Sequence, residues 1–280
     1  MKHRFQLVDV FAECPYSGNP LAVVFDADDL NAIEMQKITR WLNFSETAFL
    51  LAPTHPEADY RVRIFTLDRE MPFAGHPTLG SCHAWLADGG QPRRTEEIIQ
   101  ECGAGLISIR RSDTALAFKA PALIRSGPVE ESKVHEIAQF LGITRSKIID
   151  AQWADNGPGW LVVLLDSAKS VLNLQPAKVY PERLDLGVVG PHCSGNAAKF
   201  ELRAFFTDHG GTVREDPVTG SLNASTAQWF IASGRAVAPY VTSQGCAVGR
   251  AGQIYITSDQ HNCVWVGGNT KTIVSGNSFT

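Results

Sequence analysis

Two carboxylic acids in this chain stand in company that suits proton transfer. Glu46 lies in Asn43-Phe44-Ser45-Glu46-Thr47, directly between an apolar helical stretch and an apolar strand, and Asp216 lies just before Pro217, five residues ahead of Ser221. A carboxyl group held among apolar neighbours has its pKa raised toward neutrality and can both take and return a proton. The plainer alternatives are a solvated strand-edge charge for Glu46 and a turn residue before proline for Asp216. Near each acid a glycine opens a helix. Gly75-His76-Pro77 presents backbone N–H groups and a positive dipole end to an anion, and Thr219-Gly220-Ser221 does the same with two added hydroxyls. Without a Cβ, each glycine lets a ligand come close to the backbone. A carboxylate polarised at such mouths becomes more acidic at the adjacent carbon, because the developing enolate-like charge is stabilised. Ordinary capping by Ser221 and a tight turn at each glycine is the competing account. His76 fits three roles equally: catalytic imidazole, ligand donor or turn residue. His83 falls on an inner helix face and reads as a packed core histidine.

Other chemistries find less support. His76 with Cys82 and His83 lacks the acidic or histidine partners at fixed spacing that a metal site needs, so no metal is expected. No G-x-S-x-G elbow supports a hydrolase triad, and neither a G-x-G-x-x-G turn nor a P-loop points to a nucleotide cofactor. The six cysteines are scattered without a C-x-x-C pair and read as small buried residues of a reducing compartment. A net charge of −4, with 44% hydrophobic and 19% charged residues, describes a globular protein with no basic field for nucleic acid or anionic membrane. No apolar run approaches the ~20 residues of a membrane span, and the N-terminus does not fit a signal peptide, so the expected location is cytoplasmic.

The elements that must position these groups come twice. Arg63-Ile64-Phe65-Thr66, Gly75-His76-Pro77, a helix with Trp85, Ala87-Asp88-Gly89 and Ala104 to Ile109 are matched by a second series. That series is Arg203 to Thr207, Thr219-Gly220-Ser221, a helix with Trp229, Ala232-Ser233-Gly234 and Ala251 to Ile256. Counted back from the two tryptophans, His76 aligns with Gly220. The copies suggest two related lobes that face each other across a cleft lined by both helix mouths. Period-2 alternation predicts strands at 5–11, 21–25, 47–51, 60–65, 98–102, 106–109, 115–118, 148–152, 160–165, 203–206, 237–242, 254–256, 263–266 and 271–274. Helical spacing predicts one helix with Ile38, Trp41 and Leu42 inward behind an Asn31/Glu34 capping box. The others follow Gly75, run past Val134, Ile137, Ala138 and Leu141, and follow Gly220. Many strands with few helices give an α+β class. A cluster of Pro121, Gly127 and Pro128 divides the chain into an N-terminal lobe, 1–122, and a C-terminal lobe, 123–280, whose last strand is free to return to the first.

At Asn43-Phe44-Ser45-Glu46-Thr47, Pro72-Phe73-Ala74-Gly75-His76-Pro77 and Glu215-Asp216-Pro217-Val218-Thr219-Gly220-Ser221, the chain resembles the PhzF-like family. These are relatives of the phenazine-biosynthesis isomerase that acts on trans-2,3-dihydro-3-hydroxyanthranilate. Asp9-Val10-Phe11 followed by Gly18-Asn19-Pro20-Leu21-Ala22-Val23 matches as well, so the likeness covers nearly the whole chain. It implies a diaminopimelate epimerase-like fold of two pseudo-symmetric lobes, each a barrel-like mixed sheet around a central helix. It also implies a cofactor-independent isomerase, a homodimer and a small carboxylate-bearing substrate. By the same resemblance Glu46 is the general acid/base, His76 and Asp216 assist the transfer, and Ser45, Gly75, Thr219, Gly220 and Ser221 bind substrate. Epimerases of the parent fold carry one catalytic cysteine per lobe; the matching positions here read as Ala74 and Pro217, which removes a two-thiol mechanism. Leu222-Asn223 stands where a small residue is usual. Two other functions fit the same cleft: an amino-acid epimerase with Glu46 and Asp216 as opposed bases, and a non-catalytic binding protein.

Overall fold

The computed structural model describes residues 3–111 and 115–279. In chain order, β1 (His3–Val10) and β2 (Asn19–Val24) lead into α1 (Ala32–Leu42), β3 (Glu46–Leu51), β4 (Tyr60–Thr66) and the two-residue β5 (Glu70–Met71). Then come α2 (Gly75–Ala87), β6 (Glu97–Cys102), β7 (Gly105–Arg111) and β8 (Leu116–Lys119). The chain continues through β9 (Arg125–Pro128), α3 (Glu131–Leu141), β10 (Asp150–Asp155), β11 (Leu161–Leu164), α4 (Ala168–Leu172) and β12 (Asp185–Pro191). After these lie β13 (Phe200–Thr207), β14 (Val213–Asp216), α5 (Gly220–Ala232), β15 (Tyr240–Gln244) and β16 (Gly252–Ser258). It ends with β17 (Val264–Gly268) and β18 (Thr270–Phe279). The mixture is α+β.

Two compact units result: one up to Lys119 joined by residues from Trp265 onward, the other from Ala120 to Val264. The return to the first unit is made by β18, which pairs antiparallel with β1, and by β17, which pairs antiparallel with β8.

Inside each unit the same pairing sequence appears. In the first, β1/β2 is antiparallel, β2/β3 parallel, β3/β4 antiparallel, β4/β6 parallel and β6/β7 antiparallel. In the second, β10/β11, β11/β12, β12/β13, β13/β15 and β15/β16 repeat that order of senses. A short strand, β5 or β14, hairpins onto the fourth member just before the central helix. Even a side-chain clamp recurs. Arg63 makes a two-pronged contact to Glu70 (Nε–Oε1 and Nη2–Oε2 both 2.7 Å) and lies over the Phe65 ring. Arg203 does the same to Glu215 (2.9 and 2.7 Å) and lies over Phe205. Bidentate geometry of this kind pins the hairpin in register.

The central helices are buried nearly all round, which the sequence marks by their lack of a polar stripe. α2 packs on β1, β2, β3, β8 and β18, strands from both ends of the sheet order, so the sheet wraps around it. Gly80 makes this fit possible: a Cβ there would lie 2.5 Å from the Leu21 side chain. In the second unit the roles are exchanged. The strand carries the glycine, Gly187, where a Cβ would meet Leu222 at 2.3 Å. A large residue at position 222 is thus accommodated by its neighbour.

Helix α1 packs outside its sheet, with Met35 in a cluster formed by Val24, Ala27, Phe49 and Phe65. Its capping box at Asn31 and Glu34 is formed. Its inner face differs from the expected one: Met35 and Thr39 are buried, while Trp41 is 79% exposed. The helix is rotated toward the Met35 stripe because the i, i+4 pair Met35/Thr39, with Ile38 beside it, meets the sheet. The cysteines also differ from expectation. Only Cys82 is fully buried, and Cys14, Cys193 and Cys246 are exposed. Among the described residues no helix is long and apolar enough to cross a membrane.

Candidate active site

In the first unit, Glu46 and His76 are brought together. Glu46 is the first residue of β3, paired with Thr66, and its side chain is 17% exposed. His76 is the second residue of α2, almost wholly buried, with Nδ1 3.4 Å from Glu46 Oε2 and 3.4 Å from Asn19 Nδ2. Asn19 is held by the turn ahead of it, where Gly18 N–H donates to Asp9 Oδ1 at 3.0 Å. A Cβ at Gly18 would lie 2.1 Å from the Val10 carbonyl oxygen, so only glycine fits there. The Asp9 and Gly18-Asn19 motifs therefore serve to seat an amide against the imidazole.

The approach of His76 to Glu46 has the distance of an ion pair, but the ring is neutral. Burial pushes its pKa down to about 3, with the Pro20 backbone carbonyl acting weakly the other way. With the proton on Nδ1 the ring donates toward Glu46; with the proton on Nε2 it accepts from Asn19. Both contacts are made at Nδ1, so the neutral imidazole is placed to hold and orient the Glu46 carboxyl from that one nitrogen.

This carries a stability consequence of definite sign. The folded pKa lies below the ordinary value near 6.5, so the unfolded chain binds a proton at His76 first as pH falls. Stability contributed by the neutral ring is complete above about pH 6.5 and is lost as pH drops toward 3, at up to about 1.4 kcal/mol per pH unit. We expect denaturant melts from pH 7 to 4 to show a shallower decline for His76→Gln than for wild type. The His76 ring resonances should stay fixed from pH 8 to 5. A ring titrating near 6.5 would show the opposite.

In the second unit a buried polar network sets the mouth of α5. Thr219 is its N-cap, the position whose hydroxyl ordinarily accepts from the first helical N–H groups. Here the hydroxyl donates instead to Asp216 Oδ2 at 2.5 Å and caps nothing. Gln244 holds this arrangement. Its Oε1 accepts from Thr219 N–H and Asn223 Nδ2, each at 3.0 Å, and its Nε2 donates to Thr219 Oγ1 at 2.8 Å and to the Asp216 carbonyl at 3.2 Å. Asn223 Nδ2 also donates to the Thr219 carbonyl at 2.9 Å, and Asn223 Oδ1 accepts from Thr242 Oγ1 at 2.5 Å. Ser221 Oγ accepts from the Trp160 indole N–H at 3.0 Å, which leaves its own O–H to be donated. The first N–H groups of α5 and the Ser221 hydroxyl thus form a donor set suited to a carboxylate. α2 is likewise uncapped by any side chain, its N-cap being Ala74.

Of the expected site residues, Glu46, His76 and Gly75 meet in the first unit, with Ser45 half-buried beside Glu46 in sequence. Asp216, Thr219, Gly220 and Ser221 meet in the second. His83 is not a core residue: it is half-buried, with Nε2 2.9 Å from Thr272 Oγ1. The alignment of His76 with Gly220 also changes. Both central helices span thirteen residues from a glycine, Gly75–Ala87 and Gly220–Ala232, so Gly75 matches Gly220 and Ala74 matches Thr219. The tryptophans sit one step apart in this register, so they are not equivalent positions of the two helices. Ala74 therefore has its internal counterpart at Thr219, and Pro217 corresponds to Pro72. Asn19, Trp160, Asn156 and Gln244 were not anticipated as site residues. Their only local signal is a polar or indole group beside an apolar run, and their partners are 21 to 65 residues away.

Comparison with known proteins agrees with this architecture. Residues 8–278 match the family described as Phenazine biosynthesis-like protein. "Antisense-enhancing sequence 1" of Schizosaccharomyces pombe is 38% identical, over 99% of this chain and 99% of its own. Trans-2,3-dihydro-3-hydroxyanthranilate isomerase of Pseudomonas aeruginosa is 31% identical, again over 99% of both. A crystal structure of the Bacillus anthracis phenazine biosynthesis protein of the PhzF family covers 100% of each chain with a TM-score of 0.83 at 22% identity, which speaks to the fold. Fold and relatives define the class, an isomerase built on the epimerase-like fold. More narrowly, the chain belongs to the phenazine biosynthesis-like (PhzF) family.

Proposed function

We propose that this protein is a cofactor-independent isomerase that moves a proton within a small carboxylate-bearing amino or hydroxy acid. The chemistry would be similar to that of its relative trans-2,3-dihydro-3-hydroxyanthranilate isomerase. Glu46 removes a proton from carbon as general base and returns it to another carbon as general acid. His76, neutral and in reach of Glu46, shares that proton and orients the carboxyl group. The N–H groups at Gly75 and Gly220 and the hydroxyls of Ser45 and Ser221 bind the substrate's polar groups, while the Thr219 hydroxyl, expected to bind substrate, is engaged with Asp216 and Gln244 instead. Asp216, fixed by Thr219, orients the substrate. The protein would act in the cytoplasm as a homodimer.

One observation supports this reading most: a carboxylate shielded from bulk water lies 3.4 Å from an imidazole that burial keeps neutral. Burial disfavours moving the proton fully onto the ring, because a buried imidazolium would result, so Glu46 carries the proton while the neutral ring shares it through a hydrogen bond. The test is a screen in D₂O over small cyclic and acyclic amino and hydroxy acids, read by loss of C–H signals. We expect deuterium at the carbon next to the carboxylate or conjugated with it in at least one compound. The position of the label separates migration of the proton from inversion at one carbon. A broad panel with no exchange at all counts against any isomerase of this type.

A further inference from the structure

The turn between β10 and β11 carries an unused acceptor beside the mouth of α5. Asp155 Oδ1 accepts from Gly157 N–H and Gly159 N–H, both at 2.7 Å. Gly157 and Gly159 have φ of 142° and 116°, so the turn depends on residues without a Cβ. This rigid loop presents two side chains to the same residue of α5: Asn156 Nδ2 donates to the Ser221 carbonyl at 2.9 Å, and Trp160 Nε1 donates to the Ser221 hydroxyl. The first bond settles which way the amide points, since a carbonyl accepts only from the nitrogen. Asn156 Oδ1 is therefore the atom left over. It is buried, the residue being 5% exposed, and among the described residues no group donates to it. Buried acceptors rarely stay unmet, and their desolvation is costly.

We propose that Asn156 is a specificity-determining residue, whose Oδ1 receives the amino or hydroxyl hydrogen of a substrate whose carboxylate is held by Ser221 and the α5 mouth. This rests on the function proposed above and narrows it. A carboxylate takes the donors of α5, and an N–H or O–H two or three bonds away takes the unmet oxygen of Asn156. Acids lacking that donor would leave Oδ1 unmet in a site closed to water. A site built to bond a hydrogen donor discriminates strongly against analogues without one.

Three stable carboxylates test it by calorimetric titration: benzoate, salicylate and anthranilate, the last two bearing a hydroxyl or amino group beside the carboxylate. We expect wild type to bind salicylate or anthranilate at least ~10-fold more tightly than benzoate. Asn156→Leu should reduce that ratio to near one while benzoate still binds. Asn156→Asp, which keeps an acceptor, should weaken all three anions yet preserve the preference; Asn156→Ala, which removes the acceptor with less bulk, should lose the preference as the leucine variant does and stands in if that variant does not fold. A purely structural role for Asn156 would weaken the three ligands equally, and a wild-type ratio near one or an unchanged ratio in Asn156→Leu overturns the inference. Ser221→Ala separates the two readings: it should weaken benzoate itself. If Ser221→Ala binds benzoate like wild type, or no ligand binds wild type, the anion site is wrong and the role of Asn156 falls with it.

Discussion

Glu46→Gln is expected to stop proton transfer while leaving ligand binding intact. Glutamine keeps the shape of the side chain at the start of β3 and retains polar atoms facing His76, so the fold has little reason to change. What it loses is the ability to take and return a proton. A positioned general acid/base contributes ~10²–10⁴-fold to rate, so kcat should fall by about that factor, or about 3–5 kcal/mol in barrier. Removing a negative charge cannot weaken an anionic substrate through repulsion, so KM should stay level or fall. The measurement is deuterium uptake by the acid that wild type labels, with dissociation constants for benzoate in parallel. Glu46→Asp is the finer probe, since the shortened side chain withdraws the carboxylate from its working position without changing its charge. Small misplacements of a reacting group are costly, so this variant should fall between wild type and Glu46→Gln. Undiminished exchange in Glu46→Gln would remove Glu46 from the reaction, whatever its contacts.

The sequence made some parts of this arrangement legible and hid others for identifiable reasons. The central helices were readable because glycine and proline mark their starts and their apolar residues run all round. The strands 47–51, 60–65 and 98–102 were readable from alternation over enough residues. β12 was missed because Asp185-Leu186-Gly187-Val188-Val189-Gly190-Pro191 carries two glycines, one of which exists to admit Leu222. β14 was missed because Val213-Arg214-Glu215-Asp216 is charged, although two of those charges are engaged with Arg203 and Thr219. The face of α1 was misjudged because an exposed tryptophan weighed more than Met35 and Thr39. Glu46, His76 and Asp216 stood out because acids and imidazoles beside apolar runs are conspicuous. Gln244 did not, because a neutral amide gives no local sign that it bonds four groups far from it in sequence.

Gln244→Leu should be the most damaging single change to the second unit outside its apolar core. The side chain is 1% exposed, and the substitution removes the acceptor for Thr219 N–H and Asn223 Nδ2 together with the donor to Thr219 Oγ1 and the Asp216 carbonyl. Asn223 and the Thr219 hydroxyl keep other bonds, so the heaviest loss falls on Thr219 N–H, whose acceptor is Gln244 Oε1. Each buried group left unmet costs ~1–3 kcal/mol, and we expect a total of about 2–5 kcal/mol. The damage should also reach function, because Thr219 is the link between Asp216 and the first turn of α5. Benzoate should bind more weakly in Gln244→Leu than stability alone predicts. Gln244→Glu distinguishes the two sides of the amide. It preserves an acceptor for Thr219 N–H but buries a carboxylate near Asp216, and burial raises the pKa of such a group. Once protonated, the introduced carboxyl regains a hydrogen to donate. Its folded pKa then exceeds its unfolded pKa, so the deficit relative to wild type is largest at neutral pH and shrinks as pH falls. Denaturant melts at pH 7.5 and 5 compare the two variants: the deficit of Gln244→Leu should not respond to pH, while that of Gln244→Glu should diminish. Equal deficits at both pH values in both variants would mean that the amide only fills space.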